Sequence, residues 1–300
     1  MPPAEPAPVR TLGWTLDAAA AYLARHGVDS PRATAEHLAA RLLRCARAQL
    51  AARAAEPMPE PLLAAMRRGM ARLAASEPLQ HVIGQWDFRD FTLRTDRRAL
   101  IPRPETEMLV DLALSSPRLR ALEAPRLVDF GTGTGCIAFA LARAWPKARV
   151  VALDVSADAL ALARENADLL GLADRVAFVN VADVPLDEVF EGGTVDAIVS
   201  NPPYVPSAQV DRLDAKVRDH EPRVALDGGA DGMDVLRALC EDASMLLAPE
   251  GELYLEIDAE SRQAEPLSAL LRELGFDPVR THRDLSGADR FLSASLSLGV

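Results

Sequence analysis

Leu127-Val128-Asp129-Phe130-Gly131-Thr132-Gly133-Thr134-Gly135 reads as a short apolar strand running into a glycine loop, with helical sequence after it. Glycines directly after a first strand let the backbone come close to a ligand. From Arg126 onward, strand and helix patterns alternate, which specifies an α/β fold on a mostly parallel sheet. The pattern predicts strands at 126–130, 149–153, 175–180, 195–199 and 252–257, and helices at about 135–145, 156–170, 232–247 and 261–274. Residues 277–281 and 290–296 predict two more strands with no helix between them, hence an antiparallel pair at the sheet edge.

Upstream of the sheet the character changes twice. Residues 1–10 are rich in Pro and Ala and are expected to be disordered. From Thr15 to about Ser76 the pattern is helical. Thr15 can cap a first helix that runs through His26 to Gly27, and Ser30-Pro31 opens a second. Pro57, Pro59 and Pro61 interrupt the chain before a third helix, Leu62 to Ala75. Residues 77–107 differ again: Gly84, Phe88, Phe91, Leu93 and Leu100 suggest a β-hairpin, which leads into Ile101-Pro102-Arg103-Pro104-Glu105-Thr106-Glu107. Thr106 and the neighbouring acids can start a helix from Met108 to Leu114. Arg103, between two prolines, is either part of a plain connector or a fixed charge beside a pocket. The expected organisation is a tail (1–10), a helical domain (11–76), a hairpin linker (77–107) and an α/β domain (108–300).

Composition narrows the classes of function. The chain has 300 residues, about half of them apolar, and a formal net charge of -11. That is a globular composition, and the acidic balance argues against a broad nucleic-acid footprint. Cys45, Cys136 and Cys240 are far apart and form no Cys-x-x-Cys pair, which fits a reducing cytoplasm and offers no metal framework. No apolar run has membrane-spanning length, and the N-terminal residues lack a signal-peptide pattern, so a cytoplasmic protein without a membrane partner is expected.

The candidate chemistry sits at strand ends. The glycine loop lacks the third glycine of a dinucleotide fingerprint, because Cys136 stands there, and it lacks the Gly-Lys-Ser/Thr of a phosphate-binding loop. Asp154 ends the second strand about 20 residues after the glycines, where an acid reaches ribose hydroxyls or caps the next helix in competition with Ser156. Asp183 follows the third strand, where it can accept from an adenine amino group or cap a turn. The fourth strand ends in Ser200-Asn201-Pro202-Pro203-Tyr204. Two prolines remove two N–H donors and bar helix and ladder alike. What is left is acceptors, the Asn201 side-chain oxygen and the carbonyls beside Pro202 and Pro203, with the flat ring of Tyr204. A planar NH2 group can donate both hydrogens to such a loop. In a parallel sheet these four strand ends share one rim.

Gly131-Thr-Gly-Thr-Gly followed by Asn201-Pro-Pro-Tyr resembles class I S-adenosylmethionine methyltransferases that act on planar amino or amide nitrogen. With Pro78-Leu79-Gln80-His81-Val82-Ile83-Gly84 and Ile101-Pro-Arg-Pro-Glu-Thr-Glu upstream, and Glu221-Pro222-Arg223-Val224-Ala225-Leu226 and Gly228-Gly229-Ala230-Asp231-Gly232 downstream, the chain is similar to the release-factor glutamine methyltransferase (PrmC/HemK) family over roughly residues 12–298. The resemblance implies a Rossmann-like class I sheet with an antiparallel strand near its edge. It implies S-adenosyl-L-methionine as cofactor and methylation of N5 of the glutamine in the Gly-Gly-Gln motif of class-1 peptide release factors. It further implies Asn201, Pro202 and Tyr204 as catalytic residues. Cofactor contacts would come from Asp129, Gly131, Thr132, Gly133, Thr134, Gly135, Asp154, Asp183, Val184 and Asn201. Substrate contacts would come from Asn201, Pro202, Pro203, Tyr204, Arg103, Thr106 and Glu107, with no metal. Val184 stands where the family often places an aromatic against adenine. A monomer is expected. Two neighbouring readings are a glutamine methyltransferase of a large-subunit ribosomal protein and an enzyme methylating flipped DNA bases, which the acidic balance disfavours.

Overall fold

A computed structural model describes residues 10–190 and 194–297. They form two compact units, one up to Gly84 together with Ala215–His220, the other Gln85–Asp214 together with Glu221 onward. Apart from Arg10, the tail expected at 1–10 lies outside the described residues.

The first unit holds helices Leu12–Arg25, Pro31–Leu43, Glu60–Ala74 and Leu79–Ile83. Leu16, Leu23, Leu38, Leu63 and Met70 meet in its core. The first cap is Thr11, not Thr15: Thr11 is extended and its side chain accepts from Trp14 N, while Thr15 lies one turn inside and is buried. Ser30 does stand at the second N-cap, but in a left-handed conformation that gives its side chain no capping bond. The stretch 77–107 opens as a helix rather than a hairpin strand. Gly84, at φ +71, ends that helix, its N–H donating to Gln80 O.

The second unit begins with the hairpin β1 (Gln85–Phe88) and β2 (Phe91–Arg94). Its main sheet contains β3 (Arg126–Phe130), β4 (Arg149–Asp154), β5 (Val176–Asn180), β6 (Val195–Ser200), β7 (Leu247–Glu256), β8 (Phe276–Arg283) and β9 (Asp289–Leu296). The order is β5-β4-β3-β6-β7-β9-β8. The first five run parallel, and β9 inserts antiparallel between β7 and the edge strand β8. Successive residues alternate between two cores. Leu127, Ala197, Val199 and Tyr254 pack on one face, and Val128, Ile198, Leu253 and Leu255 on the other. A parallel sheet covered on both faces needs this double burial, and it is why the strands read as nearly continuous apolar runs.

Two features set the stage for the site. Strand order reverses between β3 and β6, so a crevice opens at the carboxyl ends there. The helix expected from Met108 begins earlier, spanning Pro104–Ser115, because Pro104 fits the first turn and Glu105 and Glu107 favour its positive end. Thr106 therefore lies inside the first turn instead of at its start, and is 2% exposed.

Candidate active site

A cavity of about 590 Å³ lies over the reversal point. Its wall takes Gly131, Thr132, Gly133 and Thr134 from the β3 loop, Asp154 from β4, and Asn201, Pro202 and Pro203 from the loop after β6. Ile101, Arg103 and Thr106 add the segment before and into the helix Pro104–Ser115. Most of the remaining lining is apolar, including Phe130, Ile137, Val155 and Ala159.

The glycine loop is built from local geometry. Gly131, Gly133 and Gly135 all have positive φ, and a Cβ on Gly135 would stand 2.2 Å from the Phe139 ring. Gly131 N and Thr132 N both donate to Leu153 O of β4, which bends the loop over that strand. Beneath it lies Asp129, fully buried. One carboxylate oxygen accepts from the Thr132 hydroxyl at 2.7 Å and Ala138 N at 3.0 Å, and the other, Oδ1, has no partner. Burial pushes this carboxyl up to about 7 against those two hydrogen bonds. Asp154 Oδ2 accepts from Gly133 N and Oδ1 from Ser156 N, both at 2.9 Å. Ser156, not Asp154, caps the helix Ala157–Leu170, its hydroxyl accepting from Ala159 N. Asn166, in that helix and fully buried, donates to Thr134 O and Arg94 O and accepts from Arg94 N, tying the hairpin to the glycine loop.

These residues fit S-adenosylmethionine. A buried carboxylate oxygen without a partner suits an amino-acid ammonium, the Asp154 oxygens keep lone pairs for ribose hydroxyls, and the apolar wall suits a base. Of the expected cofactor contacts, Asp129, Gly135, Asp183 and Val184 are not on the cavity: Asp129 lies buried beneath the glycine loop, Asp183 is exposed, and Val181, just before it, does line the wall.

The loop after β6 is held by distant partners. Asn201 Nδ2 donates to the Thr106 hydroxyl at 3.0 Å, and Thr106 donates to Glu256 Oε2 at 2.8 Å. Tyr204 donates its hydroxyl to Glu256 Oε1 at 3.2 Å. Tyr204 is therefore turned toward Glu256 and does not line the cavity. Gln263 Nε2 donates to Tyr204 O at 3.0 Å and to Gly232 O at 3.1 Å. Val205 N donates to Leu226 O, and Gly228 N to Val205 O. A Cβ on Gly232, at φ +77, would lie 2.3 Å from Tyr204 O, so the Gly228–Gly232 segment is the seat on which this loop rests. Arg103 is on the cavity, fixed by a two-oxygen contact to the buried Glu221 at 2.6 and 2.8 Å. Glu107 is not: its carboxylate accepts from Arg89 N at the hairpin.

The strand ends alone do not point to Glu256, Gln263 or Asn166. A signal for Glu256 exists, a lone acid in the apolar run Leu253-Tyr254-Leu255-Glu256-Ile257. Among the described residues no group of three or more His, Cys, Asp or Glu is arranged to hold a metal, and no helix is long and apolar enough to cross a membrane.

Known proteins are similar to this chain in sequence. The family model described as PrmC N-terminal domain matches residues 15–84, and the one described as Methyltransferase small domain matches residues 108–217. A release factor glutamine methyltransferase of Deinococcus radiodurans is 42% identical over 281 residues, 93% of this chain and 96% of that protein. Its counterpart in Geobacter sulfurreducens is 37% identical over 286 residues, 95% and 97% of the two chains. Among solved structures, a release factor-specific protein-(glutamine-N5) methyltransferase of Alicyclobacillus acidocaldarius is 30% identical, with 66% of this chain and 95% of that chain covered at a TM-score of 0.41.

Proposed function

Because the chain belongs to the release factor glutamine methyltransferase family, we propose that it transfers a methyl group from S-adenosylmethionine to N5 of the glutamine in the Gly-Gly-Gln motif of class-1 peptide release factors. One observation carries this reading: the Asn201 amide is pinned by its nitrogen to Thr106, so its oxygen is the atom offered to a ligand on the cavity.

S-adenosylmethionine, when bound, supplies a methyl group made electrophilic by a sulfonium. An amide nitrogen is a weak nucleophile, since its lone pair is delocalised into the carbonyl. The chain's work is therefore positioning. Asn201 Oδ1 and the Pro202 carbonyl accept the two amide hydrogens of the substrate. As the nitrogen becomes pyramidal and positive, both bonds strengthen, so the loop binds the transition state better than the ground state. Pro202 and Pro203 keep competing N–H donors out of the loop. Tyr204 secures the loop through Glu256. Asp129 and Asp154 hold the cofactor's ammonium and ribose ends, and Arg103, fixed by Glu221, presents a cation to the substrate backbone. The helical unit recognises the release factor. No side-chain base is needed, because a protonated amide is very acidic and loses its proton to solvent.

The test is methyl transfer from S-adenosylmethionine to a purified release factor, compared with the same factor carrying alanine in place of its Gly-Gly-Gln glutamine. A mass gain of one methyl on the intact factor alone is expected. No transfer with the cofactor still bound would overturn the substrate and turn attention to the ribosomal protein, then to nucleic acid.

A further inference from the structure

Glu256 closes β7 at the floor of the site, 1% exposed, and touches neither wall of the cavity. Its two oxygens divide their work: Oε2 accepts from Thr106, in the first turn of the helix Pro104–Ser115, and Oε1 accepts from Tyr204, in the loop after β6. Thr106 is also 3.0 Å from Asn201 Nδ2. A hydroxyl carries one hydrogen. With that hydrogen donated to an ionised carboxylate, the Thr106 oxygen can only accept, and what it accepts must be an N–H of the Asn201 amide. The Asn201 oxygen is then left on the opposite side of the amide.

We propose that Glu256 is a positioning residue for methyl transfer: its carboxylate polarises Thr106, and Thr106 sets which end of the Asn201 amide faces the substrate. This rests on the reading of Asn201 as the acceptor of the substrate amide. A protonated Glu256 reverses the chain of donors. The carboxyl can donate to Thr106, Thr106 can then donate to the Asn201 oxygen, and the amide turns its NH2 toward the cavity. An NH2 group there faces the substrate NH2 and accepts nothing.

The surroundings bring this switch into an accessible range. Burial raises the Glu256 carboxyl to about 7, against the hydrogen bonds from Thr106 and Tyr204 and the charge of Arg290 on β9. Glu105, on the same helix as Thr106, pushes the same way as burial. Tyr204 and the Cys136 thiol are both raised by burial and keep their protons throughout that range, and Arg290 keeps its charge. Glu256 is thus the group in this cluster whose charge changes near neutrality. Asp129 titrates in the same region, but it lies under the glycine loop, so its effect belongs to cofactor binding.

The experiment measures kcat at saturating cofactor and release factor from about pH 6 to 8, with cofactor affinity measured separately by titration. Thr106→Val keeps the shape and removes the hydroxyl, Thr106→Ser restores it, Glu256→Gln removes the charge, and Asn201→Ala is the reference. The wild-type kcat is expected to rise with pH and level off above Glu256's range. Thr106→Val should lose about 10²-fold in kcat, the cost of a misplaced reacting group. It should also lose the rising limb and keep its cofactor affinity. Thr106→Ser should recover both rate and limb. Glu256→Gln should flatten the limb, and if it fails to fold, the valine and serine pair carries the test. A Thr106→Val enzyme with wild-type kcat and limb, beside an inactive Asn201→Ala, overturns the role of Glu256 and leaves the Asn201 reading intact. An active Asn201→Ala overturns that reading itself.

Discussion

Two loops form the rim of the cavity, and each has a buried carboxyl beneath it. Under the glycine loop, Asp129 has one oxygen bonded to Thr132 and Ala138 and one with no partner. Under the loop after β6, Glu256 has both oxygens bonded, to Thr106 and Tyr204. Burial lifts both carboxyls to about 7. The same penalty therefore serves two ends. Asp129 keeps one oxygen without a partner beneath the loop, and in the function proposed above the cofactor's ammonium supplies the missing donor. Glu256 is complete without a ligand, which marks a group that arranges the chain itself. A buried carboxyl with a raised pKa does not by itself say which it is; the count of its partners does.

The comparison is tested most severely by Asn201→Ala. It should lower kcat by about 10³-fold, the scale of losing a directed hydrogen-bonding group at the reacting atom, with cofactor affinity unchanged in a direct titration. Equal loss of both would mean that the two loops are one structural unit.

Next in size is the pH dependence of stability. Both carboxyls keep a proton in the folded state that the unfolded chain releases from about pH 4 upward. Stability of the cofactor-free protein should fall as the pH rises from there to about 7, and be level beyond, each group contributing on the order of 3 kcal/mol. Saturating cofactor should remove the Asp129 share by favouring its charged form and leave the Glu256 share in place, measured as thermal midpoint against pH. A decline that cofactor does not change would remove the distinction between the two groups.

A smaller contrast separates two glycines. Gly232→Ala drives a Cβ into Tyr204 O and should cost about 2–3 kcal/mol of unfolding free energy along with turnover. Gly133→Ala meets only Ala99 Cβ, at 3.8 Å, and should cost about 1 kcal/mol, the strain of its positive φ. Asp154→Ala, an effect of comparable size, should cost about tenfold in cofactor affinity for one or two lost hydrogen bonds at about 1 kcal/mol each. An unchanged affinity would remove the ribose assignment.

The two loops also differ in how far they can be read from sequence. Most of what shapes the glycine loop lies within it, on the neighbouring strand or in the helix that follows it, with Asn166 the distant support, so Leu127 to Gly135 and Asp154 give its course, and the alternating strands and helices give the sheet around it. The loop after β6 announces its prolines and its Asn201, but not its supports. Thr106 stands 95 residues from Asn201 and 150 from Glu256. Contacts at that separation depend on strand order, and β9 between β7 and β8 is an order no local pattern specifies. The same gap explains Tyr204. Its ring is apparent in the sequence, but its direction is set by Glu256. At the other end of the scale, the Thr11 and Ser30 caps show how one turn of register or one left-handed residue changes which side chain bonds.

The position of β9 also sets when the molecule becomes whole as it is made. β7 finds β6 already present, but its other neighbour is the last strand of the sheet in chain order. Until Asp289–Leu296 leaves the ribosome, one edge of β7 is unpaired and Glu256 lacks the nearby charge of Arg290. A nascent chain stalled before Asp289 should therefore be cut readily by protease around β7, and the full 300-residue chain, tethered to the ribosome through an added linker that brings Leu296 outside, should resist.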